Sequence, residues 1–178
     1  MPRLFTGLQI PPSIAAQLAL LQGGIDRARW IAPEDYHITL RFIGDVEETT
    51  ARQVEEALER IALPAFSLRL SGLGWFGGGR PHSVHALVEP NAALEALQGA
   101  HERACREAGL EPERRKFTPH VTIARCRGAR LAEVRDFVAA HGLFAAGPFA
   151  VDDFVLFSAR PSRGGGPYVV EQSWPLLR

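Results

Sequence analysis

The chain has 178 residues with 20 basic and 20 acidic side chains, so its formal net charge at pH 7 is zero. With 46% hydrophobic and 22% charged residues it has the composition of an ordinary globular protein, and it is long enough to bury a core without disulfides or a metal. The balanced charge excludes a protein that holds long nucleic acid by charge alone, although it leaves room for a local basic pocket that binds one phosphate.

Strand and helix periods alternate through the first third of the chain. In chain order, the pattern predicts a strand, a helix that Pro11 and Pro12 open, a short extended piece, a second strand and a second helix, at residues 3–9, 13–22, 28–31, 36–43 and 47–62. The next segment predicts a strand, a glycine-rich turn and a returning strand, at 66–70, 72–81 and 84–88. A helix follows between Asn91, a plausible N-cap, and Gly109, which is placed to end it.

The last third repeats this alternation. It predicts a strand, a short helix, a strand, a flexible turn and a final strand, at residues 120–126, 131–141, 149–158, 161–167 and 168–174. Hairpin-like strand pairs mixed with helices favour the α+β class over a parallel doubly wound sheet. No linker divides the chain, so we expect residues 1–178 to form one domain.

Targeting signals are missing from the sequence pattern. The N-terminal residues lack the apolar core of a signal peptide, and no run approaches the roughly 18 apolar residues that cross a membrane. Cys105 and Cys126 form neither a C-x-x-C pair nor a disulfide framework, so we expect both to be reduced and buried. We therefore expect a cytoplasmic protein that binds no membrane, and nothing in the sequence implies an obligate protein partner.

Two tetrapeptides share one pattern, His-Ile-Thr-Leu at 37–40 and His-Val-Thr-Ile at 120–123, which begin 83 residues apart. Each lies in a predicted strand and is followed by a glycine turn and a predicted helix, which indicates a duplicated unit. Residues two apart in a strand share a face, so each histidine points the same way as its threonine. A single strand histidine is most often a hydrogen-bonded structural residue, whereas two with the same flanking pattern favour a functional pair.

These motifs resemble those of the two-histidine phosphoesterase superfamily, and in particular of the RNA 2′,3′-cyclic phosphodiesterases once called 2′–5′ RNA ligases. The likeness covers nearly the whole chain, at residues 4–5, 30–44, 72–76, 117–125, 155–158 and 168. It implies two pseudo-symmetric lobes, each an antiparallel sheet flanked by helices, with one motif per lobe facing a central cleft. One departure is that His82 and His85 stand where relatives often carry apolar or aromatic residues.

The resemblance also implies a reaction and a role for each motif residue. Opening a 2′,3′-cyclic phosphate needs a base on one side of phosphorus and an acid on the other, and imidazole serves both near neutral pH. His120 is expected to activate water, and His37 to protonate the leaving 3′ oxygen, which leaves a 2′-phosphate. Thr39 and Thr122 are expected to donate hydrogen bonds to the non-bridging oxygens. No cofactor is required.

An arginine is expected to neutralise the phosphate, and two candidates compete. The family pattern favours Arg125, five residues after the second histidine, but strict strand alternation favours Arg41, which is an even offset from His37. Arg125 reaches the site only if a β-bulge turns it inward or its long side chain wraps round the strand end. We rank Arg125 first and Arg41 second.

Aromatic side chains commonly stack the bases of single-stranded RNA. By resemblance, Phe5 and Tyr168 are the candidates for this role, although Phe5 fits the hydrophobic core equally well. His101, within a helical apolar stripe, is expected to be packed rather than catalytic.

Two other motifs carry less weight. Residues 72–77 fit the dinucleotide pattern G-x-G-x-x-G, but Gly78, Gly79 and Pro81 follow where that fold needs a helix, so a hairpin turn is the better interpretation. No histidine or cysteine cluster has the spacing of a zinc site, so no metal is expected.

Three functions remain open on the sequence alone. The first is hydrolysis of RNA ends that carry a 2′,3′-cyclic phosphate, with the reverse joining of RNA ends as a further possibility. The second is the same chemistry on a small cyclic phosphate such as an ADP-ribose cyclic phosphate. The third is a non-catalytic module that binds RNA ends or nucleotides, although loss of a motif residue would be its expected sign and all four are present.

Overall fold

A computed structural model describes residues 3–159 and 167–178 of the chain. Within them lie nine strands: β1 (Arg3–Gln9), β2 (Arg29–Trp30), β3 (His37–Gly44), β4 (Phe66–Phe76), β5 (Ser83–Val88), β6 (His120–Arg125), β7 (Ala145–Val151), β8 (Asp153–Ala159) and β9 (Tyr168–Pro175). The same residues hold four α-helices: α1 (Pro12–Ala19), α2 (Glu48–Glu59), α3 (Ala92–Glu107) and α4 (Leu131–Ala140). This mixture is the α+β class expected from the sequence.

The strands form one open sheet in the order β7-β4-β5-β6-β3-β1-β8-β9, and short β2 pairs separately with β6. Neighbouring strands along this order are antiparallel. The order has a pseudo-twofold centre between β6 and β3, because each of these strands carries one His-x-Thr motif and is followed outward by three more strands. The two expected halves therefore meet edge to edge in a single sheet, with the motifs on its two central strands.

Local sequence signals explain where the helices begin and end. The Asn91 side-chain oxygen accepts a hydrogen bond from the Leu94 backbone N–H at 3.0 Å, which is the N-cap of α3 expected from the sequence. Two glycines, Gly44 at the end of β3 and Gly128 shortly after β6, have φ of +84° and +83°, a conformation that favours glycine. Both motifs are therefore followed by the same sharp turn and a helix.

The two faces of the sheet differ, as the neighbours of β1 show. Thr6 points to the helix side, where its hydroxyl lies 2.8 Å from Nδ1 of His101 on α3. Phe5, its neighbour, points to the other side and packs against His37 with 5.0 Å between ring centroids. The helix face buries the core, including His101, which is fully buried as expected. The opposite face carries the motif side chains.

Three predicted elements differ from the structure. The strand predicted over 66–70 continues to Phe76 through the glycines, because a register shift between Leu70 and Leu73 lets β4 stay paired with β5. The strand predicted over 149–158 is two strands, β7 and β8, which pair at opposite ends of the sheet. The turn predicted at 161–167 lies almost entirely outside the described residues.

Cys105 and Cys126 are buried free thiols, as expected. Among the helices that the structure describes, none is long and apolar enough to span a membrane.

Candidate active site

The two motif strands are paired at their motifs, since Ile38 of β3 lies opposite Val121 of β6. Antiparallel pairing then sets His37 across from Thr122 and Thr39 across from His120, so that all four side chains share one face. Ile38 and Val121 are fully buried beneath them, whereas the four motif side chains are only partly buried. The pairing thus brings together residues that are 83 positions apart in the sequence.

Both motif histidines are oriented by the same device. Nδ1 of His37 donates to the carbonyl oxygen of Asp35 at 2.9 Å, and Nδ1 of His120 donates to that of Thr118 at 2.6 Å. A carbonyl oxygen only accepts, so in each neutral ring the proton resides on Nδ1 and Nε2 carries the lone pair. In the first half, the Thr39 hydroxyl lies 3.1 Å from Nε2 of His37.

Burial and neighbouring positive charge disfavour the protonated forms of both imidazoles. The pKa of His37 is lowered to about 4, chiefly by burial. The hydrogen bond to Asp35 opposes this shift, whereas His120 and Arg125 add to it. The pKa of His120 is lowered by burial and by Arg125, against the bond to Thr118. His120 therefore lies close enough to His37 to lower its pKa, and Arg125 lowers the pKa of both.

A bulge in β3 decides where Arg41 points. Gly7 of β1 pairs with Thr39, but the preceding residue, Thr6, pairs with Arg41, so Leu40 is passed over. This extra residue reverses the alternation after Thr39 and turns Arg41 to the helix face. There it is only 7% exposed, and its Nε lies 2.5 Å from Oε2 of Glu102 on α3. The structure does not bring Arg41 to the site, which corrects its place as the second phosphate candidate.

The same bulge occurs at the matching position of β6. His85 of β5 pairs with Thr122, but Val84 pairs with Ala124, so Ile123 is passed over. The reversal turns Arg125 to the face of the motif histidines. A β-bulge was one of the two ways in which the sequence analysis expected Arg125 to reach the site. The Nε of Arg125 is buried without a hydrogen-bond partner in the described structure. A buried, unpaired guanidinium nitrogen beside two imidazoles is suited to an anion.

Aromatic rings surround each histidine. Beside His37 lie Tyr168, edge-on at 4.9 Å between centroids, and Phe157 at 5.5 Å. Phe5 is only 4% exposed beneath these rings. It therefore supports His37 from a small buried cluster that it forms with Phe157 on the motif face, and it has no free face for a base, which corrects its assignment as a stacking residue. Tyr168 is partly exposed and keeps that candidacy.

The second histidine has neighbours that sequence reasoning missed. The Phe76 ring meets His120 edge-on at 4.8 Å, and the His85 ring lies 5.0 Å from that of His120. His85 is only 3% exposed, and burial and His120 lower its pKa to about 4, so it is neutral at pH 7. In the sequence, His85 stood out only because relatives often carry an apolar or aromatic residue at its position. Phe76 was missed because it fell within the predicted glycine-rich turn.

Phe42 is the other missed residue. Because of the bulge it points to the site face, and it stands five residues after His37 just as Arg125 stands five after His120. That equal offset was the available signal. Among the described residues, no group of three histidine, cysteine, aspartate or glutamate side chains is arranged to hold a metal ion.

Comparisons with known proteins show which family the chain resembles. The family model described as "LigT like Phosphoesterase" matches residues 8–85 and 87–168. The RNA 2′,3′-cyclic phosphodiesterase of Bacillus subtilis (strain 168) is 35% identical over 130 residues, covering 70% of this chain and 71% of that protein. The protein of the same name from Aeropyrum pernix is 41% identical over 102 residues, covering 56% of this chain and 58% of that protein.

A solved structure shows the same fold. The crystal structure of E. coli LigT complexed with 3′-AMP matches with a TM-score of 0.77 at 23% identity, covering 100% of both chains.

Proposed function

The chain belongs to the LigT-like phosphoesterase family, and we propose that it hydrolyses the 2′,3′-cyclic phosphate at RNA ends to a 2′-phosphate. One observation carries this proposal: His37 and His120 share a face with their threonines, and each presents Nε2 while its Nδ1 is held by a backbone carbonyl. Two imidazoles fixed in the same tautomer suit a reaction that needs one base and one acid. The names of the relatives from Bacillus and Aeropyrum support the substrate.

The proposed step is an in-line displacement at phosphorus. Neutral His120 accepts a proton at Nε2 from water as the water oxygen forms its bond to phosphorus. The bond between phosphorus and the 3′ oxygen breaks, and protonated His37 gives its Nε2 proton to that oxygen. One proton is taken and one is given, so the pair ends with the opposite protonation and must exchange a proton with solvent before the next turnover.

Charge that gathers on the non-bridging oxygens is met by neutral and cationic donors. The hydroxyls of Thr39 and Thr122 lie on the same face as the imidazoles, where they donate to these oxygens. Arg125 supplies the positive charge, and its unpaired Nε gains a partner when the phosphate binds. These side chains are the chain's own means of stabilising the anion.

The terminal nucleobase is assigned to the groove beside His37. This groove has a volume of about 560 Å³, and its walls include Phe157 and Tyr168, which both contact His37. Tyr168 is the proposed stacking residue there. The buried free thiols of Cys105 and Cys126 fit the reducing cytoplasm in which we place the protein.

The test is to incubate the purified protein, in EDTA, with a short RNA ending in a 2′,3′-cyclic phosphate and to identify the product. We expect turnover to a 2′-phosphate end, lowered about 10²–10⁴-fold in His37→Ala or His120→Ala and on the order of 10-fold in Thr39→Ala or Thr122→Ala. His141→Ala, which removes an imidazole from the end of α4, is the control.

Each proposed role has an outcome that contradicts it. A 3′-phosphate product would refute the assigned leaving group, and loss of activity in EDTA with recovery on adding a divalent ion would refute the metal-free step. Binding without turnover of either an RNA end or an ADP-ribose cyclic phosphate would favour the non-catalytic module. Turnover of the ADP-ribose compound alone would identify a small-molecule phosphodiesterase.

A further inference from the structure

An exposed aromatic side chain borders the site on the side of β3. Phe42 is 51% exposed, although it is a large apolar residue. Its ring centroid lies 5.9 Å from that of Phe5, which in turn lies 5.0 Å from that of His37. Phe42 therefore stands one ring further from the motif histidine than Phe5, on the same face of the sheet.

A cation lies beside that ring, and two further basic residues are its neighbours in the chain. The segment between α3 and β6 carries three consecutive exposed basic residues, Arg114, Arg115 and Lys116. The guanidinium carbon of Arg115 lies 5.8 Å from the centroid of the Phe42 ring, within the range of a cation–π contact. Glu113 also pairs with Arg115 at 3.4 Å, but this pair is solvent-exposed on the arginine side, so it is weak and exchangeable.

A buried ion pair holds this basic segment against the sheet. Glu102 on α3 binds Arg41 through one carboxylate oxygen and accepts the Glu113 backbone N–H at 3.1 Å through the other. The Nη2 of Arg41 donates to the carbonyl oxygen of Glu111. Arg41 thus acts as a positioning residue whose contacts fix where Arg115 stands relative to Phe42.

We propose that Phe42, Arg115 and Lys116 form a track that binds the nucleotide immediately 5′ of the cyclic end, so that an RNA strand is a better substrate than a mononucleotide. This inference rests on the proposed function. The base of that nucleotide stacks on Phe42, and the phosphodiester linking it to the terminal nucleotide meets Arg115 and Lys116. Exposed aromatic rings beside arginines are the means by which proteins hold single-stranded RNA without reading its sequence.

The test compares a nucleoside 2′,3′-cyclic monophosphate with an RNA trimer ending in the same cyclic phosphate. In Phe42→Ala and in the double variant Arg115→Ala/Lys116→Ala, we expect kcat/KM for the trimer to fall on the order of 10-fold. For the mononucleotide it should change less than about twofold, because that substrate never reaches the track. The double variant should also reduce the salt dependence of trimer turnover by about 0.7 in log-log slope, the loss of one phosphate contact.

The matched control is Arg52→Ala/Arg135→Ala, which removes the same charge from two exposed helix positions. It should leave the ratio of trimer to mononucleotide efficiency unchanged. Variants that slow both substrates equally, or neither, would overturn the track. If the unaltered protein hydrolyses neither substrate, the proposed function fails. The track is then tested by comparing the affinity of the protein for an RNA trimer with a 2′-phosphate end with its affinity for a nucleoside 2′-monophosphate. Equal affinities, or a difference that the track variants leave intact, would overturn it.

Discussion

The catalytic efficiency on cyclic phosphate is expected to be highest below pH 6.5 and to fall about tenfold per pH unit above neutrality. The proposed step needs one proton on the histidine pair, carried by His37. In the substrate-free protein, burial lowers the pKa of His37 to about 4 and also lowers the pKa of His120. Both apparent pKa values of the pair therefore lie below that of a free imidazole, and at pH 7 most molecules carry no proton on either ring.

The free-energy cost of forming the active protonation state at pH 7 follows from the pKa of His37. Protonating a group of pKa about 4 at pH 7 costs about 4 kcal/mol, at roughly 1.4 kcal/mol per pH unit. A bound phosphate anion opposes the charges of His120 and Arg125 that help to depress this pKa, so substrate binding raises it. The alkaline limb of kcat, which reports the bound state, should consequently lie at higher pH than that of kcat/KM, which reports the free protein.

The assay is steady-state hydrolysis of a nucleoside 2′,3′-cyclic monophosphate from pH 5 to 9 at constant ionic strength. With adenine as its base, this substrate keeps a single negative charge throughout, so the titrations belong to the protein. The apparent pKa values describe the coupled pair rather than either histidine alone. A value of kcat/KM that stays level or rises between pH 7 and 8.5 would refute the reasoning from burial.

Three further predictions concern Arg125, Gly74 and two buried histidines. Arg125→Ala should lower kcat/KM about 10²–10³-fold, with Arg125→Lys restoring part of the loss, in the same assay. Gly74→Ala should reduce activity, because its new Cβ would lie 2.9 Å from Nε2 of His85, whose ring packs against that of His120. Adding His85→Ala removes the clash and should recover activity, and a double variant as slow as Gly74→Ala alone would contradict this reason. The free energy of unfolding should fall by about 2 kcal/mol for each of His85 and His101 between pH 7 and pH 5. Their pKa values in the folded protein, about 4 and 3, lie below the 6.5 of the unfolded chain, so unfolding takes up protons in this range. Urea unfolding midpoints that do not change with pH would contradict this.

Local signals in the sequence were enough for most of the fold. The first strand matches its prediction at both ends, Asn91 caps its helix, and the repeated His-x-Thr pattern marks the two central strands of the sheet. These features depend on neighbours in the chain, so periodicity and capping chemistry reveal them. The same holds for the α+β class, which follows from the alternation of elements.

Features that depend on distant pairing were missed. The division between β7 and β8 falls at Asp152. The prediction continued one strand through Asp152 and Asp153, and the pairing of the two runs with β4 and β1 shows that they are separate strands. The burial of Phe5 likewise depends on Phe157 and Tyr168, which are more than 150 residues away. No local pattern contains that information.

The arginine question shows how a small irregularity redirects function. Strict alternation places Arg41 on the site face and Arg125 off it, and one passed-over residue after each motif threonine reverses both. Because the bulge occurs in both halves, the position five after each histidine becomes a site position twice. One half places Phe42 there, suited to a base, and the other places Arg125 there, suited to a phosphate. The duplicated backbone thus supplies two equivalent positions on the site face, and the proposals above assign one of them to a base of the RNA and the other to the cyclic phosphate of the next nucleotide.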